Sequence, residues 1–268
     1  MINKLYLLLI TLFLSSYFYS IVEEDPLPTL GDYSSASISL SGEYELGRLW
    51  LAMYRGSTKE HSDPLMRTYL EDLIYRLSET SEVRDRRFEF IILEDESINA
   101  FAAPGGIIGI NLGMFLNTKR EGELASVMCH ELAHLSQRHY ARSQNRSSPL
   151  ANALMILGSI AVAAASRNPE AIIIAPAAMQ QMSINYTRSN EKEADRIGFN
   201  NLVKAGFDPN DMTMMFQRMQ DKYQNEDSEQ FSYLMTHPLP SERLTDMKIR
   251  SDGLKKTSKN SYRDNMDF

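Results

Sequence analysis

The residues of this chain best suited to chemistry are His130-Glu131-Leu132-Ala133-His134. On an α-helix, residues i and i+4 lie on one face, one turn apart. Two imidazoles at that spacing can both approach one metal ion, at about 2.0–2.1 Å for zinc. Glu131 sits beside them, where a carboxylate can take a proton from an attacking water as general base. The chain has five histidines, His61, His130, His134, His139 and His237, and a single cysteine, Cys129. One cysteine excludes a thiolate-rich zinc site, so zinc here must be held by imidazole and carboxylate.

Two histidines leave a third ligand to be found. One class of zinc peptidase places it ten residues after the first histidine, but Tyr140 stands there, and Gln137 replaces the glycine of that pattern. His139 lies nine residues after His130. On a continuous helix that is the opposite face, so His139 reads as structural or solvent-facing. A second helix offers carboxylates in Asn190-Glu191-Lys192-Glu193-Ala194-Asp195. Glu191 and Asp195 share a face, Glu193 points roughly opposite, and Ala194 is small enough for two helices to come close. Glu191 can then serve as third metal ligand. Asp195 can accept the second ring N–H of a ligand histidine, fixing its tautomer. His237, in the Pro-braced loop His237-Pro238-Leu239-Pro240, could close the fourth zinc position and keep the site latent.

These groups need elements to position them. Apolar spacing predicts a helix over 43–55, and Asp63-Pro64 supplies an N-cap and first-turn proline for a helix to about Ser78. Residues 87–93 read as a strand. Asn99, Ala100, Phe101 and Ala102 form a short strand, Pro104-Gly105-Gly106 a turn, and 107–110 the return strand. Beyond Gly113 the pattern is almost all helical: one helix over 121–142 carrying the motif, then 150–165, 177–205, a helix from Asp208-Pro209 to about Tyr223, and a last one from Ser241 to about Arg250. The fold class is α+β, mostly helical, with a small sheet of about three strands.

Across the whole chain, 268 residues with 43% hydrophobic content suit one compact domain. A net charge of -7 without a basic stripe argues against nucleic acid as a partner. Lys4 followed by an apolar run over 5–14, then the polar Glu23-Glu24-Asp25-Pro26, reads as a signal peptide over 1–20, either cleaved or retained as an N-terminal anchor. The chain is therefore expected to be exported, with the periplasm as its compartment. Residues 21–42 read as a linker or arm, 43–251 as the catalytic domain, and 252–268 as a polar, disordered tail. The Ala-rich run over 150–165 is short for a membrane span and reads as a core helix, or else as a helix that makes peripheral membrane contact.

The motif at 130–134, the Asn190–Asp195 segment some tens of residues later, Asn99-Ala100-Phe101-Ala102-Ala103-Pro104-Gly105-Gly106 and His237-Pro238-Leu239-Pro240-Ser241-Glu242-Arg243 together resemble the HtpX and CAAX-prenyl-protease type of gluzincin metalloprotease. Within that group the chain is most similar to soluble periplasmic members of the BepA and LoiP type. The likeness covers roughly residues 60 to 250 and does not extend to a helical-repeat domain. It implies a zinc endopeptidase with one Zn(2+) per chain. His130, His134 and Glu191 would be the ligands, Glu131 the base and Asp195 a supporting group or proton donor. His237 and Arg243 would stabilise the oxyanion. It further implies that extended polypeptides, such as misfolded or misassembled envelope proteins, bind as an added strand along Asn99 to Ala102. Two other readings are a chaperone-like assembly factor with a latent or vestigial site and a membrane-associated processing protease.

Overall fold

The structure, a computed structural model, describes residues 38–56, 58–144, 187–225, 233, 237–238 and 241–257. The signal peptide, most of the 21–42 arm, the apolar run over 150–165 and residues 258–268 lie outside that set. Among the described residues, no helix is long and apolar enough to cross a membrane.

Among the described residues, three strands form one sheet in the order β1-β3-β2. Strand β1 (Glu89–Leu93) runs parallel to β3 (Ile107–Asn111), with Glu89 opposite Ile107. Strand β2 (Ala100–Ala103) runs antiparallel to β3, with Ala100 opposite Ile110. The turn joining β2 to β3 needs left-handed backbone at Gly105 (φ 76°) and Gly106 (φ 79°), which glycine adopts without a Cβ penalty. The β2–β3 hairpin and the edge position of β2 follow the sequence expectation.

Both faces of this sheet are covered, which explains why its strands read as near-continuous apolar runs. Helix α1 (Leu40–Arg55) lays Trp50, Leu51 and Tyr54 against Ile91, Leu93, Phe101, Ala103 and Ile107. The opposite face, with Phe90, Ile92, Ala100, Ala102, Ile108 and Ile110, joins the main core. Helix α2 (Pro64–Thr80) contributes Leu70, Leu73, Ile74 and Leu77 to that core. Helix α3 (Leu112–Asn117) links the sheet to α4 (Glu121–Ser136), which adds Leu124, Met128 and Leu132. Helices α6 (Arg188–Lys204), α7 (Asn210–Asn225) and α8 (Ser241–Thr257) complete the layer, with Phe199, Met215 and Met247 buried. Helix α4 is enclosed so fully that every residue from Glu121 to His134 is buried. The motif thus sits on the central rod of the domain.

Several boundaries differ from the sequence reading. Helix α1 begins three residues early, because the Ser39 side chain accepts the Gly42 amide N–H at 3.0 Å and so caps it. Helix α8 runs to Thr257, into the stretch expected to be a disordered tail. Its extra turns are anchored by fully buried Ser251 and by Leu254 packed on the core. The largest correction concerns the helix expected over 121–142. It breaks after Ser136: Arg138 takes φ 51°, and a separate short helix, α5 (His139–Gln144), follows. The cause is tertiary. Arg138 reaches back to α1, where its Nε donates to buried Glu43 at 2.8 Å and its guanidinium also meets the Ile38 carbonyl.

Candidate metal centre

The site is assembled where α6 crosses α4. Two small residues permit the approach. Ala194 is fully buried beside Ala133. A Cβ on Gly198 would meet the His130 backbone nitrogen at 2.9 Å and the Cys129 carbonyl at 3.0 Å. Thr187 caps α6 by accepting the Asn190 amide N–H at 3.2 Å. Glu191 is thereby placed in the first turn and Asp195 one turn further on, both facing α4.

Four side chains converge there: His130, His134, Glu191 and His237, all buried, with one donor atom from each within 4.8 Å of the others. His130 Nε2 and His134 Nε2 are 3.0 Å apart. Glu191 oxygens lie 3.4 Å from the first and 3.5 Å from the second. His237 Nδ1 is 3.4 Å from His130 Nε2 and 3.1 Å from Glu191 Oε1. A tetrahedral zinc with bonds of about 2.0–2.1 Å spaces its ligand atoms by about 3.3–3.4 Å. The donor set is therefore of the right kind and the right size. The two facing Nε2 atoms point the same way, because two ring lone pairs this close repel unless a proton or a metal cation lies between them.

Each of the two motif histidines is held from behind. His130 Nδ1 lies 3.0 Å from Asp195 Oδ1, as the i, i+4 pairing of Glu191 and Asp195 suggested. Asp195 is in turn gripped by Arg243, whose Nε and Nη2 donate to its two oxygens at 2.6 and 2.7 Å. Arg243 Nη1 also donates to the Pro238 carbonyl at 2.6 Å and lies 3.0 Å from Glu191 Oε2. The guanidinium thus links Asp195, Glu191 and the Pro238 carbonyl, an arrangement that orients both carboxylates.

Behind His134 stands His139, for which the structural alternative of the sequence reading holds and the solvent-facing one does not. His139 is fully buried, neither solvent-facing nor on the far side of α4. The turn at Arg138 swings it back so that its Nδ1 lies 2.8 Å from His134 Nδ1. Its Nε2 lies 3.2 Å from Glu193, which also accepts from Arg142 at 3.0 Å. Glu193 does face away from the donor cluster, as expected, but toward these partners. Sequence reasoning missed this group because the left-handed break occurs at an arginine, with no glycine to signal it.

Electrostatics divide the site. Burial opposes an imidazolium at His130, yet contact with Asp195 and Glu191 outweighs it and lifts the pKa to about 9. Burial holds His134 well below the ordinary range, with Glu191 opposing. Burial also raises Glu131, against the pull of His237 and His130 and the Ala102 backbone amide; a raised carboxylate suits proton transfer near neutral pH. For Glu191 and Asp195, burial is outweighed by histidine contacts, and for Asp195 also by Arg243, so both stay ionised below the usual range. A divalent cation entering such a cluster would displace the His130 proton.

The strand expected to take substrate lies beside Glu131, since the Ala102 amide acts on its carboxylate. Asn99, Ala100, Phe101 and Ala102 are all buried. The Tyr233 amide donates to the Ile98 carbonyl at 3.2 Å, the His237 amide donates to the Tyr233 carbonyl at 2.7 Å, and the two rings stack at 4.6 Å. His237 Nε2 lies 3.6 Å from Glu131 Oε1.

A family model for peptidase family M48 matches residues 64–251, a span that includes His130, Glu131, His134, Glu191, Asp195, His237 and Arg243. The chain is 41% identical over 239 residues to a putative beta-barrel assembly-enhancing protease of Vibrio cholerae, covering 87% of this chain and 49% of that protein. It is 36% identical over 240 residues to the beta-barrel assembly-enhancing protease of Escherichia coli K12, covering 86% and 48%. A mitochondrial metalloendopeptidase, OMA1 of Schizosaccharomyces pombe, is 25% identical over 234 residues, covering 85% and 66%. The chain spans about half the length of the two bacterial relatives.

Proposed function

This chain belongs to peptidase family M48, a metalloprotease family, and we propose that it is a zinc-dependent endopeptidase of the cell envelope, hydrolysing misfolded or misassembled exported proteins. The observation that carries the reading is the buried His130–His134–Glu191 donor set with Glu131 between it and β2. Arg243 and Asp195 hold His130, and His139 holds His134. When bound, Zn(2+) would polarise the scissile carbonyl and make water a better nucleophile.

The remaining chemistry belongs to the chain's own groups. Glu131, raised by burial, takes the proton of the attacking water and can return it to the leaving amine. The β2 edge pairs with the main chain of an extended substrate, so side-chain selectivity is modest. Export to the periplasm is supported by the charge and hydropathy pattern of residues 1–26. The names of the two bacterial relatives support clients that form β-barrels.

His237 supports a second statement about the same site. Its Nδ1 completes the four-atom set, and the Tyr233 amide pairs with Ile98 next to β2. We read this as a latent arrangement, in which His237 occupies the position that water and substrate need. A chaperone-like factor with a vestigial site fits less well, because it has no need for a buried, uplifted Glu131.

The test is metal analysis and casein proteolysis for wild type and Glu131→Gln. Zinc bound to both proteins, with proteolysis lowered at least about 100-fold in the variant, is the expected result. Full activity of the zinc-loaded variant would remove Glu131 from the mechanism. Wild type that binds zinc but cleaves nothing, even with His237→Ala, would favour the assembly-factor reading.

A further inference from the structure

We infer that His139 is a positioning residue for His134: it fixes the proton of His134 on Nδ1 and so turns the Nε2 lone pair into the donor cluster, with Glu193 and Arg142 setting the orientation of His139 itself. The inference rests on the zinc reading above and extends it to three residues outside the donor set.

The argument follows the protons. Ionised Glu193 only accepts hydrogen bonds. His139 Nε2, 3.2 Å from Glu193 Oε2, must therefore be the nitrogen that carries hydrogen. In a neutral imidazole the other nitrogen is then an acceptor. His139 Nδ1 lies 2.8 Å from His134 Nδ1, so His134 Nδ1 must donate. Its Nε2 is left as a lone pair, facing His130 Nε2 at 3.0 Å. Were His139 to donate from both nitrogens, it would be an imidazolium buried near the Arg142 guanidinium, which shares the same Glu193 oxygen.

Geometry shows that this contact is built rather than incidental. Arg138 adopts φ 51° to bring His139 back against α4, and Arg138 is itself pinned by Glu43. The His134 and His139 rings meet edge to face, with centroids 4.8 Å apart. Partners of this kind behind a metal-binding histidine are generally worth about 10–100-fold in metal affinity.

Two polar substitutions separate orientation from packing. Asn at 139 can place an acceptor near the Nδ1 position but abandons Glu193. Gln can place its amide near the Nε2 position, keeping a donor for Glu193 but leaving His134 Nδ1 without its acceptor. Zinc affinity of the metal-free full chain, measured by competition with a chromophoric chelator, should fall about 10–100-fold in His139→Gln and much less in His139→Asn. Nitrogen-15 spectra of metal-free wild type should show His134 protonated on Nδ1.

Equal zinc affinity in wild type and folded His139→Gln would overturn the inference, as would equal losses in the two variants. A wild-type His134 protonated on Nε2 would overturn it even if neither variant folds. Wild type that binds no zinc would instead sink the metal reading, and this inference with it.

Discussion

His130 and His134 stand one helical turn apart on α4, yet they are supported in different ways. His130 is backed by a full charge: Asp195, itself clamped by two donors of Arg243. His134 is backed by a neutral ring, His139, with the charge of Glu193 one step further away. The consequence is visible in their proton affinities, since His130 is lifted to about 9 while burial holds His134 well below the ordinary range. A direct carboxylate makes a ring more basic, while a relay through a second imidazole fixes its tautomer with little added charge. The two halves also differ in what would fail if they were disturbed.

The largest expected effect is on the His130 side. Asp195→Ala removes the bidentate partner of buried Arg243 but leaves Glu191 at 3.0 Å, so the cost should approach, without exceeding, that of a broken buried ion pair, typically about 3–5 kcal/mol. Thermal or urea unfolding of the metal-free protein should report that loss, together with weaker zinc binding. A change below about 1 kcal/mol would mean that the Asp195–Arg243 pair is not the stronger support. Next comes Gly198→Ala, whose methyl group would press on the α4 backbone at Cys129 and His130. Overpacking of this kind costs about 1–3 kcal/mol, and zinc affinity should fall because Glu191 and Asp195 move with α6. Unchanged stability and affinity would show that the helix crossing is looser than its geometry implies.

Removing the latch proposed at His237 should act in the opposite direction. His237→Ala is expected to raise basal casein cleavage by about tenfold, the ratio corresponding to about 1.4 kcal/mol of closure. A fall in activity would return His237 to the oxyanion role. The smallest effect belongs to the far end of the His134 relay. Glu193 is part-exposed, and Gln retains an acceptor for the His139 N–H, so Glu193→Gln should cost less than about 1 kcal/mol of stability. Zinc binding should weaken only a few-fold by the same competition assay. A loss as large as that of Asp195→Ala would erase the difference between the two halves.

Much of this site was legible in the order of residues. Glu131 between two histidines four apart, and Glu191 four before Asp195 on a helix interrupted by small residues, express helical periodicity, which is local. Asn99 to Ala103 with Pro104-Gly105-Gly106 announced a hairpin through turn chemistry, which is local too. What could not be read depended on distant partners. Helix α4 stops because Arg138 is drawn to Glu43, 95 residues earlier. The last helix continues past Arg250 because Ser251 and Leu254 find cover in the core. Glu193 was legible only as pointing away from Glu191 and Asp195; what it faces was set when α5 folded against it.

By itself, then, the sequence determined the chemistry: which residue types were present, which shared a helical face, and that imidazole and carboxylate had to serve where thiolate could not. Tertiary structure decided how each group is used. It chose the structural over the solvent-facing reading of His139 by burying it against His134, set Arg243 against Asp195 and Glu191, and brought His237 within 3.4 Å of His130 across 107 residues. Periodicity along one helix is set by covalent geometry and survives in any context. The position of a ring relative to a helix it does not belong to is set only when the core closes around both.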